Sequence, residues 1–416
     1  MCGPALDRKA NNPAAEAERP KERRYRLRRQ AAKVLRNHRT CTCGWRLAEV
    51  VTIVKNKHGT CDFVGLQSCG SVWACPVCSS KIGAHRSEEV RELVRAHAEA
   101  GGTAYMLTLT IRHNVRDHCV HLRHGISRTW QRFAYSRAWR EIKKTYGVAG
   151  YVRALEITHG ANGWHPHYHV LVFLDRDPGE GAEGELRTAL FDQWQTAAAG
   201  IGFAVNPDAL DLTRCSSPDA AADYVAKWGT AAEVSAGQDK RGRQGSRSPW
   251  QLLAASKSDR RARALYREYV RAMHGARHLT WSRGIRERYD LRAAAEDAAI
   301  AEQPELGLDA DVTEIARVDK GTWQRLSKAG LQGRLLIAAE TGGAEAVQEL
   351  LSGTVGPSYL KRGDRRWFKP PRPALTSTPG ELQPIAEEIE RWTTKVKAEM
   401  FRHRRRQEAW DLTVNP

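Results

Sequence analysis

The sequence predicts an α+β protein in which antiparallel strands are flanked by helices, between a cysteine-rich segment and a helical region. Two strand-like runs are joined by Asn162-Gly163, the strongest short signal for a β-hairpin. Most of the nine cysteines lie between Cys41 and Cys78, and the chain becomes rich in Ala and Glu after Asp290. The predicted parts are a basic flexible leader (1–40), a cysteine-rich segment with a helix (41–100), the strand-containing domain (101–290) and a helical accessory region (291–416).

Hydrophobic periodicity predicts the individual elements. Gly101-Gly102 separates the first helix from the first strand. The predicted order is a helix at 82–100, a strand at 104–112, a helix at 121–146, the two hairpin strands, a helix at 185–198, a strand at 203–212 and helices at 218–228 and 260–274. In the accessory region, residues 313–335 predict two helices.

The charge of the chain predicts an anionic partner. Its 66 Lys and Arg residues against 48 Asp and Glu give a formal net charge of +18 and a pI of about 9.7. Nucleic acid is the commonest partner of so basic a chain. The leader and a polar loop at 235–248 are the segments we expect to contact phosphates, with solvated chain as the alternative for both. The arginines predicted to bind DNA are Arg23, Arg24, Arg26, Arg28, Arg29, Arg241, Arg243 and Arg247.

The apolar pattern argues against membrane and secreted proteins. No run of about 18 apolar residues is present, and the N-terminal residues lack the apolar stretch of a secretory signal. We therefore expect the chain in the cytoplasm, where cysteines stay reduced. The odd number of cysteines and their clustering then indicate metal ligation rather than disulfides.

Three histidines alternate along the second hairpin strand. Successive side chains of a strand point to opposite faces, so His165, His167 and His169 share one face. Neutral imidazoles are good ligands for divalent ions. His165 ranks below the other two, because it precedes Pro166 near the start of the strand. The alternative is a solvated histidine cluster that binds no metal.

The hairpin turn predicts which residue faces these histidines. With Asn162 and Gly163 at the centre of the turn, Glu156 lies opposite His169. Two histidines and a carboxylate leave coordination positions open for substrate oxygens. The sequence therefore predicts a catalytic metal site formed by His167, His169 and Glu156.

The cysteine-rich segment predicts a second metal site. Cys75 and Cys78 form a C-x2-C pair, and Cys43-Gly44 and Cys69-Gly70 are its predicted partners in a four-sulfur zinc site. Such a site would stabilise a short segment that has little core of its own. The alternative ligands are Cys41, Cys61 and His85, and reduced cysteines without a metal are the alternative to zinc.

Three segments resemble, in the same order, the motifs of the HUH endonucleases. YMLTLTIRH at 105–113 resembles the first motif, and GWHPHYHVLVF at 163–173 resembles the second, in which two histidines flank a hydrophobic residue. DYVAKW at 223–228 is similar to the third. CGSVWACPVC at 69–78 also resembles the cysteine segment of rolling-circle plasmid replication initiators of this superfamily, particularly those of actinobacteria. The resemblance covers roughly residues 41–290.

The resemblance implies a DNA-nicking enzyme with an antiparallel-sheet HUH nuclease domain. In that family the histidines hold Mg²⁺ or Mn²⁺, and a tyrosine attacks a DNA phosphodiester. The products are a 5′-phosphotyrosine and a free 3′-hydroxyl. The matching tyrosine is Tyr224, and Lys227 lies three residues later, on the same face of a predicted helix. The implied partners are plasmid origin DNA, single-stranded at the nick, a host helicase and a DNA polymerase that extends the 3′-hydroxyl.

The sequence departs from some relatives at one position of the third motif. Ala220 stands where those relatives carry a glutamate that activates water for the terminating cleavage. Asp219, Asp223 and Glu233 are candidates to replace it. Two alternatives to a replication initiator stay open: an HUH transposase or relaxase, and a non-catalytic zinc-containing DNA-binding regulator. The single tyrosine in AADYVAKWGT argues against transposases that use two tyrosines on one helix.

Overall fold

The structure is a computed structural model that describes residues 18–206, 210–215, 217, 245–291, 295–302 and 312–355. It consists of helices and two antiparallel sheets, which confirms the predicted mixture of helices with antiparallel strands. The helices are α1 (Pro20–Val34), α2 (Pro76–Glu99), α3 (Cys119–Tyr135), α4 (Arg137–Tyr146), α5 (Glu180–Ala199), α6 (Pro249–Ala255), α7 (Arg260–Ala272), α8 (Ile285–Arg288), α9 (Asp297–Glu302), α10 (Lys320–Ala329) and α11 (Gln332–Val355). The strands are β1 (Val50–Asn56), β2 (Cys61–Val64), β3 (Thr103–Thr110), β4 (Val148–Gly160), β5 (Gly163–Leu174), β6 (Leu210–Arg214), β7 (Leu279–Trp281) and β8 (Val312–Asp319). None of the described helices is long and apolar enough to cross a membrane.

The larger sheet has the strand order β6-β3-β5-β4-β7, and all its neighbouring pairs are antiparallel. The two faces of β5 pack against different helices, and alternate residues of the strand belong to each face. Tyr168 and Val170 join a core with Trp130 of α3, whereas Leu171 and Phe173 pack against α2 residues such as Leu93. The histidines of β5 share the face of Leu171 and Phe173, at the other end of the strand.

The smaller sheet joins the cysteine-rich segment to the C-terminal part of the chain. Its order is β2-β1-β8, so residues 312–319 form a strand where the sequence predicted the start of a helix. This strand alternates, with Ala316 and Val318 buried, a pattern too short to stand out in an Ala- and Glu-rich region. Phe63 of β2 packs edge-on against Tyr25 of α1 and Trp323 of α10, with ring centroids 5.9 and 4.8 Å away.

The helix predicted at 121–146 is two helices. Ser136 has an extended backbone, and its side chain accepts a hydrogen bond from the Trp139 amide. It therefore caps α4 directly after α3 ends at Tyr135. The apolar periodicity continues across this break, which is why the sequence pattern did not show it. The helix predicted at 218–228 lies outside the described residues, and the predicted domain boundaries stay predictions.

A buried carboxylate joins α2 to α8. Glu89 Oε2 lies 2.9 Å from a guanidinium nitrogen of Arg86 and 2.9 Å from one of Arg286. Burial alone would raise the pKa of Glu89, but hydrogen bonds from His85 and Arg86 and the two arginine charges lower it to about 2. The ionised carboxylate is therefore much more favourable in the folded chain than in the unfolded chain.

We expect Glu89→Gln to lower the free energy of unfolding by about 3 kcal/mol at pH 7, because it removes the ionised carboxylate that pairs with both guanidinium groups, of which Arg86 keeps Asp297. The folded pKa lies below the unfolded value, so this stabilisation is complete above about pH 4.5 and is lost as the pH falls towards 2. Urea unfolding across that pH range measures it. Glu88→Gln, which removes an exposed partner of Arg91 on the same helix, is the control and should cost less than about 1 kcal/mol. Equal losses for both variants would contradict the argument.

Candidate metal centres

The hairpin places one carboxylate against two imidazoles on the central strands of the larger sheet. Glu156 of β4 pairs directly with His167 of β5, and His169 lies two residues further along the same face. Glu156 Oε2 is 3.0 Å from Nε2 of His167 and 3.0 Å from Nε2 of His169. The nearest ligand atoms of the three side chains all lie within 4.8 Å of one another. The structure therefore brings the three predicted catalytic metal ligands together.

The register of the hairpin differs from the prediction by two residues. Gly160 pairs with Gly163, so Ala161 and Asn162 form the turn, and Glu156 faces His167 rather than His169. Gly163 has a φ of +86° and an added Cβ would lie 2.9 Å from the Asn114 carbonyl oxygen. Glycine at this position therefore allows both the left-handed backbone and the close approach to Asn114, just after the turn. Because side chains alternate with a period of two, the shift leaves Glu156 on the histidine face.

The three side chains influence one another's protonation. Burial disfavours the charged form of His167, but the Glu156 carboxylate more than offsets this and raises the pKa of His167. Burial lowers the pKa of His169 despite its hydrogen bond with Glu156. Burial would raise the pKa of Glu156, yet the two histidines hold it well below its usual value. The cluster thus contains the ionised carboxylate of Glu156 beside the imidazole of His169, which is readily neutral.

The donor set fits a divalent cation. Neighbouring ligand atoms of an octahedral ion with bonds of about 2.1 Å lie about 3 Å apart, which matches the separations of 3.0 Å from Glu156 to each histidine. The Glu156 side chain is 25% exposed and that of His169 is 20% exposed, so the cluster is open to solvent on one side. Two imidazoles and one carboxylate leave room in the coordination sphere for oxygens of a substrate.

Two side chains that the sequence argument did not assign support this cluster. Thr108 of β3 pairs with His169, and its hydroxyl lies 3.3 Å from His169 Nδ1. His113, just after β3, has Nε2 2.7 Å from Nδ1 of His165. Burial, together with His167 and His113, lowers the pKa of His165 to about 4. His165 is not among the three grouped ligands, and the pairing of β3 with β5 is the long-range contact needed to find Thr108 and His113.

Four buried cysteines form the second cluster. Cys43 Sγ lies 3.6 Å from Cys75 Sγ and 3.7 Å from Cys78 Sγ, and Cys69 Sγ lies 3.6 Å from Cys78 Sγ. Sulfurs bound tetrahedrally to zinc at about 2.3 Å are about 3.8 Å apart. The structure therefore brings together the four cysteines that the sequence predicts as zinc ligands, in a group that fits a tetrahedral ion.

Local backbone structure builds the four-cysteine cluster. Cys75 is the residue directly before α2, and Cys78 lies in the first turn of that helix, where the positive end of a helix favours thiolates. Hydrogen bonds from the other three thiols lower the pKa of Cys78 well below that of a free thiol. Gly44 and Gly70, directly after the other two cysteines, have φ values of +79° and +58°, which allow the tight turns at those positions.

The alternative cysteine-site ligands lie elsewhere. The thiol of Cys41 donates to carbonyl oxygens of Ala32 and Leu35 at 3.5 and 3.2 Å. Cys61 is on β2, where burial and Glu340 raise its pKa to about 11. His85 contacts Glu89 at 3.6 Å. None of the three joins the four-cysteine group.

Three of the leader arginines are buried against the protein rather than exposed to solvent. Arg23, Arg24 and Arg28 are buried on α1, and Arg28 donates to the Cys43 carbonyl at 2.8 Å. Arg24 donates to Ser80. Helix α1 packs against α2, α6 and α11 and buries one side of the basic helix, and DNA contacts by these three arginines stay a prediction.

The other arginines predicted to bind DNA have different surroundings. Arg26 pairs with Glu18 at the surface, and Arg29 donates to carbonyl oxygens of Ser327 and Lys328. Arg247 lies 3.8 Å from Asp259. Arg241 and Arg243 lie outside the described residues. DNA contacts by Arg26, Arg29 and Arg247 stay predictions.

The predicted nucleophile lies outside the described residues, as do Lys227 and the segment around Ala220. Two other tyrosines occur on a described helix of the domain, α7. Tyr266 is fully buried and its hydroxyl donates to the Ala74 carbonyl at 2.9 Å. Tyr269 is 2% exposed and stacks on Trp164. Neither hydroxyl is presented to a substrate, so Tyr224 stays the leading candidate nucleophile.

Comparison with known proteins gives a match to a replication protein family and to relatives of which two are named as rep proteins. Residues 66–178 match the family described as replication protein. A protein named Protein rep from Streptomyces lividans is 28% identical over 367 residues, which cover 70% of this chain and 79% of that protein. A neomycin resistance protein from Streptomyces cyanogenus is 29% identical over 46% of this chain and 53% of its own length. A Protein rep from Bacillus amyloliquefaciens is 35% identical over 25% of this chain and 30% of its own length. No solved structure matches the chain.

These matches confirm the resemblance to replication initiators that the motifs predict, and the HUH superfamily is consistent with the matched family. The matched region contains Glu156, His167 and His169, together with three of the four clustered cysteines. Both candidate metal centres therefore involve the part of the chain that is similar to replication proteins.

Proposed function

We propose that this chain, in which residues 66–178 match the replication protein family, initiates plasmid replication by nicking one strand of origin DNA. The observation that carries the proposal is the Glu156–His167–His169 cluster on the central strands of the antiparallel sheet. The order of the three sequence motifs and the similarity to rep proteins support the same activity.

The cluster suits the chemistry of phosphodiester cleavage. A divalent cation held there, Mg²⁺ or Mn²⁺, would polarise the scissile phosphate. His167 and His169 would bind it as neutral imidazoles and Glu156 as an anion, and Thr108 would fix the orientation of the His169 ring. The open side of the cluster would admit the phosphate oxygens of the DNA strand.

Tyr224 is the proposed nucleophile. Its phenolic oxygen forms a bond to phosphorus, and the bond from phosphorus to the 3′ oxygen breaks. The leaving oxygen takes up a proton and becomes the free 3′-hydroxyl, while the 5′ end stays attached as a phosphotyrosine. Lys227 would stabilise the phenolate, whose usual pKa of about 10 makes the neutral phenol a weak nucleophile. No nucleotide cofactor is required, because the phosphotyrosine conserves the phosphodiester for rejoining.

The chain on both sides of Tyr224 is attached to the sheet near the cluster. β6 ends at Arg214, which pairs with Tyr105, three residues along β3 from Thr108, the partner of His169. Arg247 exchanges two backbone hydrogen bonds with His159 of β4. Tyr224 is ten residues beyond Arg214, a length that can span up to about 33 Å. These attachment points support a nucleophile within reach of the metal cluster.

The proposed function also involves origin DNA, a structural zinc ion and two host enzymes. A net charge of +18 favours origin DNA as the partner. A zinc ion in the four-cysteine cluster would have a structural role, since its four sulfurs complete a tetrahedral site. A DNA polymerase would extend the 3′-hydroxyl, and a helicase would unwind the duplex ahead of it.

A cleavage assay tests this function. The substrates are a supercoiled plasmid that carries the DNA around the coding sequence of this chain and a randomised single-stranded library, each with Mn²⁺ or Mg²⁺. We expect nicked product and a covalent protein–DNA adduct only when the divalent ion is present. His167→Ala should reduce cleavage by at least about 100-fold, because it removes a metal ligand.

His124→Ala, which removes an exposed histidine from α3, is the control for the loss of an imidazole and should cleave at the wild-type rate. Sequencing of the library products identifies the cleaved site. Metal-dependent cleavage of neither substrate by the folded wild-type chain would contradict the proposed function and favour a DNA-binding regulator.

A further inference from the structure

A cavity of about 800 Å³ lies on the other face of the larger sheet from the histidine cluster. Arg153 and Leu155 of β4 and Tyr168 of β5 line it, and strand alternation places these residues opposite Glu156 and His169. Helices α3 and α4 and the segment at 275–283 close its sides. Its volume is within the range of about 300–1,000 Å³ that is typical of ligand pockets. The cavity is therefore separate from both metal centres.

The lining is basic and aromatic. Among the described residues that line the cavity, none is Asp or Glu. Tyr135, at the rim, is 85% exposed. The basic lining residues are Arg123, Lys143, Arg153, Arg277 and Arg283, and the aromatic ones are Trp130, Tyr135, Trp139, Tyr151, Tyr168 and Trp281. Such a lining attracts an anion that also has a flat ring to stack.

Arg153 is the central residue of this cavity. Its guanidinium lies over the rings of Tyr168 and Trp130, 4.1 and 4.7 Å from their centroids. Its Nη2 contacts the Thr280 hydroxyl at 3.4 Å, whereas Nε and Nη1 are buried without a hydrogen-bond partner. Two unpaired donors of a buried cation are costly unless an anion accepts from them. The aromatic rings hold the guanidinium in place for such an anion.

We propose that this cavity binds a deoxynucleotide of single-stranded DNA, on the opposite face of the sheet from the nicking site. The phosphate would accept hydrogen bonds from Arg153 and lie near Arg277 and Arg283, and the base would stack on the exposed ring of Tyr135. Aromatic stacking beside a basic surface is the usual way in which proteins hold single strands without reading their sequence. The choice of DNA rests on the proposed function, but binding needs no cleavage and is measured separately from it.

Photo-cross-linking of the full chain tests the proposal. The probe is an eight-residue oligothymidylate that contains 5-iodo-deoxyuridine, used without added Mg²⁺ or Mn²⁺, and mass spectrometry maps the linked peptide. We expect links to Trp130, Tyr135 or Trp139. Arg277→Ser with Arg283→Ser should reduce these links and raise the Kd of the oligonucleotide at least fivefold. Both arginines are exposed, so their loss should leave the fold intact.

Arg140→Ser with Lys144→Ser is the matched control. It removes two exposed charges from α4, outside the cavity lining, and should change the Kd less than twofold. Equal weakening by both double variants, or cross-links only outside residues 123–155, Tyr168 and residues 275–283, would overturn the proposal.

Competitors distinguish the possible sources of the ligand. Thymidine monophosphate that displaces the probe at micromolar concentration would identify a free nucleotide as a ligand of the same cavity, and displacement only by longer oligonucleotides would identify a DNA strand. Displacement by inorganic phosphate as effectively as by the nucleotide would overturn the stacking role of Tyr135. If the chain does not nick DNA but the probe still cross-links to the cavity, the result counts against the proposed function and supports the cavity as a binding site.

Discussion

Tyr224→Phe is expected to abolish the covalent protein–DNA adduct, with a loss of at least about 1,000-fold in cleavage. The substitution removes only the phenolic oxygen that the proposed reaction attaches to phosphorus. DNA binding should change less than about twofold, because the basic surface and both metal clusters are untouched. Denaturing gel electrophoresis of the trapped adduct, followed by mass spectrometry of the linked peptide, measures both the amount and the attacking residue.

Two further variants separate the roles of individual groups. Tyr266→Phe is the control, because that hydroxyl is buried against the Ala74 carbonyl. Its loss should lower the free energy of unfolding by about 1 kcal/mol and leave the yield of adduct unchanged. Lys227→Met should slow adduct formation by about 100-fold if the ammonium stabilises the phenolate or the transition state. Full adduct formation by Tyr224→Phe would exclude Tyr224 as the nucleophile. Mass spectrometry would then identify the residue that takes its place.

The histidine hairpin shows what local sequence can and cannot predict. Alternation along β5 was sufficient to place His167 and His169 on one face, and the short turn was sufficient to put Glu156 with them. The predicted turn residues, Asn162 and Gly163, were wrong, because the sequence does not reveal that Gly163 lies against the loop at Asn114. A two-residue shift preserves the face of every side chain, whereas a one-residue shift would have moved Glu156 away from the histidines.

The features that sequence did not predict depend on contacts between distant segments. Thr108 reaches His169 only because β3 pairs with β5. Arg153 forms its stacking contacts with Trp130 of α3 and Tyr168 of β5, and no spacing rule connects these residues. The basic pattern of α1 predicts DNA contacts, but it gives no sign that Arg28 donates a hydrogen bond to the Cys43 carbonyl. Sequence periodicity predicts which side chains share a face of a strand or helix. The residues that contact that face from distant segments are known only from the tertiary fold.

Loss of the proposed zinc site should have the largest effect on stability. The four cysteines belong to the same buried cluster as Leu27 of α1 and Tyr266 of α7, so the site lies in the main core rather than in a detached finger. Cys75→Ser with Cys78→Ser should reduce bound zinc from one ion per chain to almost none. It should also lower the free energy of unfolding by about 4 kcal/mol or more, since two polar hydroxyls then occupy a buried site without a metal.

Elemental analysis of the purified chain and thermal unfolding measure the two effects. Cys41→Ser is the matched control, because its thiol contacts carbonyl oxygens of α1 and the residue after it rather than the cluster, and it should retain a full equivalent of zinc. Removal of zinc by a chelator with a thiol reagent should lower the Tm of the wild-type chain and of Cys41→Ser alike. A wild-type chain that contains no zinc yet unfolds at the same temperature as the zinc-loaded chain would contradict the structural role. Because the histidine cluster has its own ligands, the variant with two serines should still respond to Mn²⁺ wherever it remains folded, which separates the structural metal from the catalytic one.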